Sequence, residues 1–332
     1  MIKSFVGVYF EKRMDMKKQI KGFTLVELLV VISIIALLLA ILMPGLSKAR
    51  EKAMSLVDKT RVRQWGIANT TYCNENNGRF EMGFYKKTVG GKTSSDESDT
   101  KGWTEVLYPY YKGNPEILNC PKVPVKKFQD QYTVNQYKDF IDKVEKSDSI
   151  DRTFIPWRGT TPKTKCYNVS GSYGKNAKLT SPPVDADEAR SRDLMNYHTL
   201  SMVKNAATVP MFFDCFTTET FFYIQGDITD NKMTHNSGNA LPAAPVVKGG
   251  GKAGNTGSTL ACRAVLNRHG SNGEGITNIC FVDNSTRKVY LKEMWELSWH
   301  PNYDWRLHRL VPISGTTSGW PTWMRTFKNF NK

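Results

Sequence analysis

Residues 21–45 read KGFTLVELLVVISIIALLLAILMPG, and this stretch decides how the rest of the chain must be organised. From Phe23 to Met43 there are 21 residues, of which only Thr24, Glu27 and Ser33 are polar. As a helix rising ~1.5 Å per residue, they span about 30 Å, one hydrocarbon core. Residues 1–22 hold six basic side chains (Lys3, Lys12, Arg13, Lys17, Lys18 and Lys21) against two acidic ones, Glu11 and Asp15. By the positive-inside rule the N-terminus stays cytoplasmic and the rest is exported. An ordinary secretory signal has an apolar region of roughly 7–15 residues and then a small-residue cleavage site. This run is longer, and it continues through Pro44-Gly45 into a charged, helix-favouring stretch from Ser47 to Arg63. A plain signal anchor accounts for the length but not for Glu27, since a carboxylate inside a membrane helix is functional by default.

The segment is followed by a chain that must fold. The protein has 332 residues, 40% apolar and 23% charged, with a formal net charge of +15. A mean hydropathy of −0.44 excludes a polytopic membrane protein. The length suits one or two domains with a real core. Lys and Arg are scattered without clustering on one element, so nucleic acid is not an expected partner. A basic surface facing anionic polymer, lipid headgroup or cell wall remains open. The six cysteines (Cys73, Cys120, Cys166, Cys215, Cys262 and Cys280) all follow the apolar segment, and no CxxC occurs. They are either disulfide partners in an exported region or small buried hydrophobes.

Residues 46–72 extend the helix. Leu46, Ala49, Ala53, Leu56, Val57, Trp65 and Ile67 form an imperfect 3.6-period stripe. Asn74 to Gly78, NENNG, is a stop signal. One helix is therefore predicted from 23 to about 75, kinked near Pro44. The layout is a leader (1–22), a membrane and assembly helix (23–43), an amphipathic continuation (44–76) and an extracytoplasmic β-rich head (77–332). In the head, strands are expected at 210–216, 220–225, 277–282 and 287–291, the last two joined by the turn Asp283 to Thr286. Residues 125–165 read as a helical or irregular insertion, and Lys86 to Gly102 and Lys248 to Ser258 as loops. The fold class is α+β: a long N-terminal helix packed on an antiparallel β-rich head.

Lys21-Gly22-Phe23-Thr24-Leu25-Val26-Glu27-Leu28 resembles the processing site of type IV prepilins and type II secretion pseudopilins. The resemblance implies that a prepilin peptidase cuts between Gly22 and Phe23 and methylates the new amine of Phe23. It makes Glu27 the fifth mature residue, the one that pairs with a neighbouring subunit's amine during filament assembly. It also puts Pro44 where many pilins carry a helix-kinking proline. Met14 and Met16 are alternative starts, since MKKQIKG from Met16 has the length of a usual leader. The expected partners are the peptidase, other pilin or pseudopilin subunits, an inner-membrane secretion platform and the lipid bilayer.

Further on, Trp103 to Leu107, Cys120-Pro121, Ser172 to Asn176 and Val209 to Asp214 follow the order seen in large planctomycete-type pseudopilin-like proteins. Those proteins end on a His, nine residues and Asp-Gly. Here thirteen residues separate His269 from Asp283, and Asn284 replaces the glycine. Asn also tolerates a left-handed backbone, so the turn survives. Lys292 to His300 resembles a tail of the same proteins.

Catalytic constellations are missing from the sequence. No HExxH or GxSxG occurs, and Gly91-Lys92-Thr93 ends like a phosphate loop but has Lys86 in place of its first glycine. His269 with Asp283 is read as a structural pair joining two strands, with a metal site or an acid–base pair as alternatives. Asp227, Asp230 and Asn231, or Asp185, Asp187 and Glu188, leave calcium open as a cofactor. The second group breaks the calcium-loop pattern at Ala189 and Arg190, and solvated carboxylates are the plainer reading of both. No other metal or cofactor and no catalytic residue is expected. Five tryptophans fall late (Trp295, Trp299, Trp305, Trp320 and Trp323), either in the core or as a carbohydrate platform. The expectation is a non-enzymatic, pseudopilin-like filament subunit of the bacterial inner membrane, its head periplasmic or extracellular. The alternative is an anchored adhesin or glycan-binding protein.

Overall fold

The computed structural model describes residues 23–81, 88–89, 92–93, 102–111, 114–146, 156–158, 169–181, 196–215, 218–220, 227–229, 232–234, 268–269, 275–290, 293–294 and 297–301. The leader with Gly22, Asp185, Asp187, Glu188, Asp230, Asn231, Cys166, Cys262 and Trp295, Trp305, Trp320 and Trp323 lie outside them. Contacts divide the chain into two compact units, Met1–Arg50 and Glu51–Lys332.

Helix α1 runs from Leu25 to Glu75 with Pro44 inside it. In the first unit its apolar residues have no protein cover: Leu25 is 78% exposed and Ile41 70%. This part has a mean hydropathy of 3.1 in its most apolar window and is long enough to cross a membrane.

In the second unit, α1 buries Ser55, Asp58, Val62, Trp65, Gly66, Ala68, Asn69 and Cys73. These positions recur every three or four residues, one face of a helix. The face differs from the expected stripe, because Leu56, Val57 and Ile67 are exposed. The reason is chemical. Asp58 and Asn69 bury their polar atoms against partners in the head, and an apolar count passes over such positions. The helix ends as NENNG predicts. Asn77 and Gly78 take φ values of 55° and 75°, and the Gly78 amide turns back to the Cys73 carbonyl at 2.7 Å.

The head continues with a hairpin of β1 (Thr88–Val89) and β2 (Lys92–Thr93), then α2 (Trp103–Val106) and α3 (Tyr108–Tyr111). Lys92 and Thr93 therefore stand in a hairpin strand rather than opening a helix, as a phosphate loop requires. Next come α4 (Val125–Gln131), α5 (Val134–Lys146), β3 (Trp157–Arg158), β4 (Ser170–Gly171), β5 (Tyr173–Asn176), β6 (Pro210–Asp214) and β7 (Glu219–Thr220). The hairpin β8 (Asp227–Thr229) and β9 (Lys232–Thr234) precedes β10 (Ile276–Phe281) and β11 (Thr286–Tyr290). The main sheet is five-stranded in the order β11-β10-β6-β5-β7. All its pairs are antiparallel except β5 with β7.

The sheet packs on α1. Trp65 meets Trp103 edge-on at 4.9 Å and Tyr111 at 5.0 Å, and Trp103 meets Phe212 of β6 at 5.1 Å. The buried indoles are polar-satisfied: Trp65 donates to the Ile117 carbonyl at 2.6 Å and Trp157 to that of Tyr173 at 2.7 Å. Helix and hairpin come so close at Gly66 that a Cβ there would lie 2.4 Å from Cys280 Sγ and 2.7 Å from Asn284 Oδ1. Trp299 is fully buried, so it is a core residue rather than part of a glycan platform. Cys73, Cys120 and Cys280 are free, buried thiols, and Cys215 is buried too. Burial pushes the Cys73 and Cys280 thiols up to about 12.

Candidate functional site

Two places concentrate polar chemistry that packing alone does not require. The first is the start of α1. The Thr24 amide and hydroxyl both donate to Glu27 Oε2, at 2.9 and 2.8 Å, and the Glu27 amide donates to Thr24 Oγ1 at 3.3 Å. This reciprocal pair is a capping box, which satisfies orphan amide donors at a helix start. Its signal, Thr-x-x-Glu before an apolar run, was in the sequence but was read only for the glutamate. Phe23, one residue outside the box, is 72% exposed.

The second place is inside the head. His269 does not reach Asp283. The Asp283 carboxylate sits in the β10–β11 turn and accepts the Ser285 amide at 2.9 Å. His269 Nε2 instead lies 3.1 Å from Asp58 Oδ2, 3.1 Å from Cys120 Sγ and 3.7 Å from Asp214 Oδ2. Asp58 comes from α1, Cys120 from the turn before α4, and Asp214 from the end of β6. All four side chains are buried. The strand-joining pair expected from the sequence is thus replaced by a four-residue cluster. Asp58 was illegible because it stands among solvated charges on a surface-like helix. In the sequence Cys120 reads as a disulfide partner or a small buried hydrophobe, and Asp214 stands at the end of an apolar run.

Around the four is a second ring of donors. Asp58 accepts the Tyr173 hydroxyl at 2.6 Å and the Asn278 amide at 2.6 Å. Arg268 Nη1 donates to Asp214 Oδ1 at 2.9 Å and to the Ser172 carbonyl at 2.7 Å. Burial alone would raise the Asp58 carboxyl, but the hydrogen bond and charge of His269, with Tyr173 and Asn278, hold it below its usual value. Burial opposes a charged His269, yet its hydrogen bond and charge interaction with Asp58 raise it. Asp214 is pushed up to about 6 by burial and by the neighbouring Asp58 charge. Burial drives the Cys120 thiol well above its ordinary value.

A separate buried pair, Lys175 with Glu81, is tied to α1 through the Asn69 amide, which donates to Glu81 Oε2 at 3.0 Å. It has the look of a structural link between β5 and the helix.

The family model for the prokaryotic N-terminal methylation motif matches residues 17–43. No curated protein and no solved structure matches the chain. The matched segment contains Phe23, the capping box and the apolar part of α1, a membrane anchor by length and composition. This motif, with the long apolar helix and the antiparallel β head that follow it, fits a type IV prepilin- or pseudopilin-like protein.

Proposed function

We propose that the protein is a structural subunit of a type II secretion or type IV pilus-like filament, with no catalytic activity of its own. A prepilin peptidase removes residues 1–22 and methylates Phe23. The mature subunit waits in the bacterial inner membrane with its head on the far side, and a secretion platform then moves it into the filament.

The observation that supports this reading most directly is the pairing of the methylation motif with an apolar, exposed helix half. In a bilayer, lipid covers that half. In a filament, neighbouring helices do. Glu27 is the element a plain anchor lacks. Within one subunit it is held by Thr24; in the filament it accepts the charged amine of a neighbour's Phe23, so that the two charges offset each other away from water. The adhesin alternative needs an exposed aromatic platform, and the described tryptophans Trp65, Trp103, Trp157 and Trp299 are core residues instead.

Single cysteines placed in turn along 23–43 test the proposal by oxidative cross-linking in cells. A filament subunit gives ladders of covalent multimers, and Glu27→Ala shortens or abolishes them while leaving the processed monomer. Monomers alone at every position would mean an anchored, unassembled protein.

A further inference from the structure

The geometry points to a structural zinc site in the head, with Asp58, Cys120, Asp214 and His269 as its four ligands. Their donor atoms all lie within 4.8 Å of one another, and every one is buried. Tetrahedral zinc with bonds of ~2.0–2.3 Å separates its ligand atoms by about 3.3–3.7 Å. The distances from His269 Nε2 to Asp58, Cys120 and Asp214, 3.1, 3.1 and 3.7 Å, bracket that range.

Hydrogen bonding alone does not explain the convergence. Two carboxylate oxygens and a sulfur surround a single ring nitrogen, which carries at most one proton and can donate it to one of them. Asp214 Oδ2, fully buried and turned towards this centre, makes no hydrogen bond. A buried carboxylate oxygen without a donor is costly, and a cation at the centre removes that cost. Both carboxylates are already oriented: Tyr173 donates to Asp58 Oδ1 and Asn278 to its ligand oxygen Oδ2, and Arg268 donates to Asp214 Oδ1. Such outer partners fix ligand direction in metal sites.

The donor set selects the ion. Thiolate and imidazole together disfavour magnesium and calcium and suit zinc. The charges also balance. Zinc and the Arg268 guanidinium bring three positive charges, while two carboxylates and the Cys120 thiolate bring three negative ones. On binding, the thiol proton and any proton on the ring nitrogen leave to solvent, and no electron is transferred. Four protein ligands leave no open position, which is the arrangement of a structural rather than a catalytic site. The ion would clamp α1 to β6 and to the segments bearing Cys120 and His269, so head folding would be coupled to metal.

The test uses the full chain in detergent. Metal content is measured after purification, after chelation, and after zinc or cobalt is returned. The expected result is close to one zinc per chain, a lower melting temperature after chelation that zinc restores and magnesium does not, and a near-ultraviolet sulfur-to-cobalt band. Cys120→Ser should abolish that band, and Asp214→Asn should lower zinc occupancy. Tryptophan fluorescence from the core checks that each variant folds, and the wild-type readouts stand without any variant. A folded wild-type head that neither carries nor takes up zinc or cobalt overturns the site, leaving a metal-free ion network. Cobalt bound without a cysteine-dependent band overturns this ligand set.

Discussion

At the scale of single residues, Asn284 shows how a departure from a family pattern can be chemically conservative. It holds φ at 63° in the β10–β11 turn, where the Asp-Gly pattern that the sequence resembles has glycine. Its side-chain amide also reaches Thr70 Oγ1 on α1 at 3.2 Å, a contact that glycine cannot make. Asn284→Ala should therefore lose both the left-handed tolerance and the link to the helix, lowering stability by about 1–2 kcal/mol in denaturant titration. Asn284→Gly keeps the backbone and loses only the link, so it should fall between the two. An alanine variant as stable as wild type would remove the turn from the account. Glu27 is the other telling residue. Its carboxylate stands out in the sequence as a charge in an apolar run, and the structure adds its capping partner Thr24, whose hydroxyl and amide both donate to it.

At the scale of elements, α1 and the β10–β11 hairpin come into close contact at Gly66. Gly66→Ala forces its Cβ against Cys280 Sγ and should cost roughly 1–3 kcal/mol by overpacking. Removing the sulfur as well, in Gly66→Ala with Cys280→Ala, should recover part of that loss, and strict additivity of the two changes would contradict the contact. The same element explains what the sequence could and could not tell. The helix end was legible, and so were the strands expected at 210–216, 277–282 and 287–291, which form at 210–214, 276–281 and 286–290, because stop signals and short apolar runs are local; of the strand expected at 220–225, residues 221–225 lie outside the described residues. The buried face of α1 was not. It is marked by polar residues, among them Ser55 and Asp58, whose partners Tyr173 and Asn278 lie more than a hundred residues away. The cluster around His269 was misread for the same reason: Asp283 is near it in sequence, but Asp58, Cys120 and Asp214 are near it in space.

At the scale of the whole molecule, two kinds of stability meet in one chain. The described residues of the first unit form an apolar, exposed helix long enough to cross a membrane. The second has a core of indoles packed on a sheet. In the proposed function, cleavage would convert the first from an anchored precursor into an assembly element, because only a free amine at Phe23 can meet Glu27 of a neighbour. The central claim is therefore a statement about the mature N-terminus. Mass spectrometry of the protein recovered from its native membrane tests it directly, alongside a Gly22→Leu variant. The account predicts a mature chain of 310 residues that begins with N-methylated Phe23, and a variant that keeps its leader. A wild-type protein that retains residues before Phe23, or starts elsewhere with an unmodified amine, would contradict it.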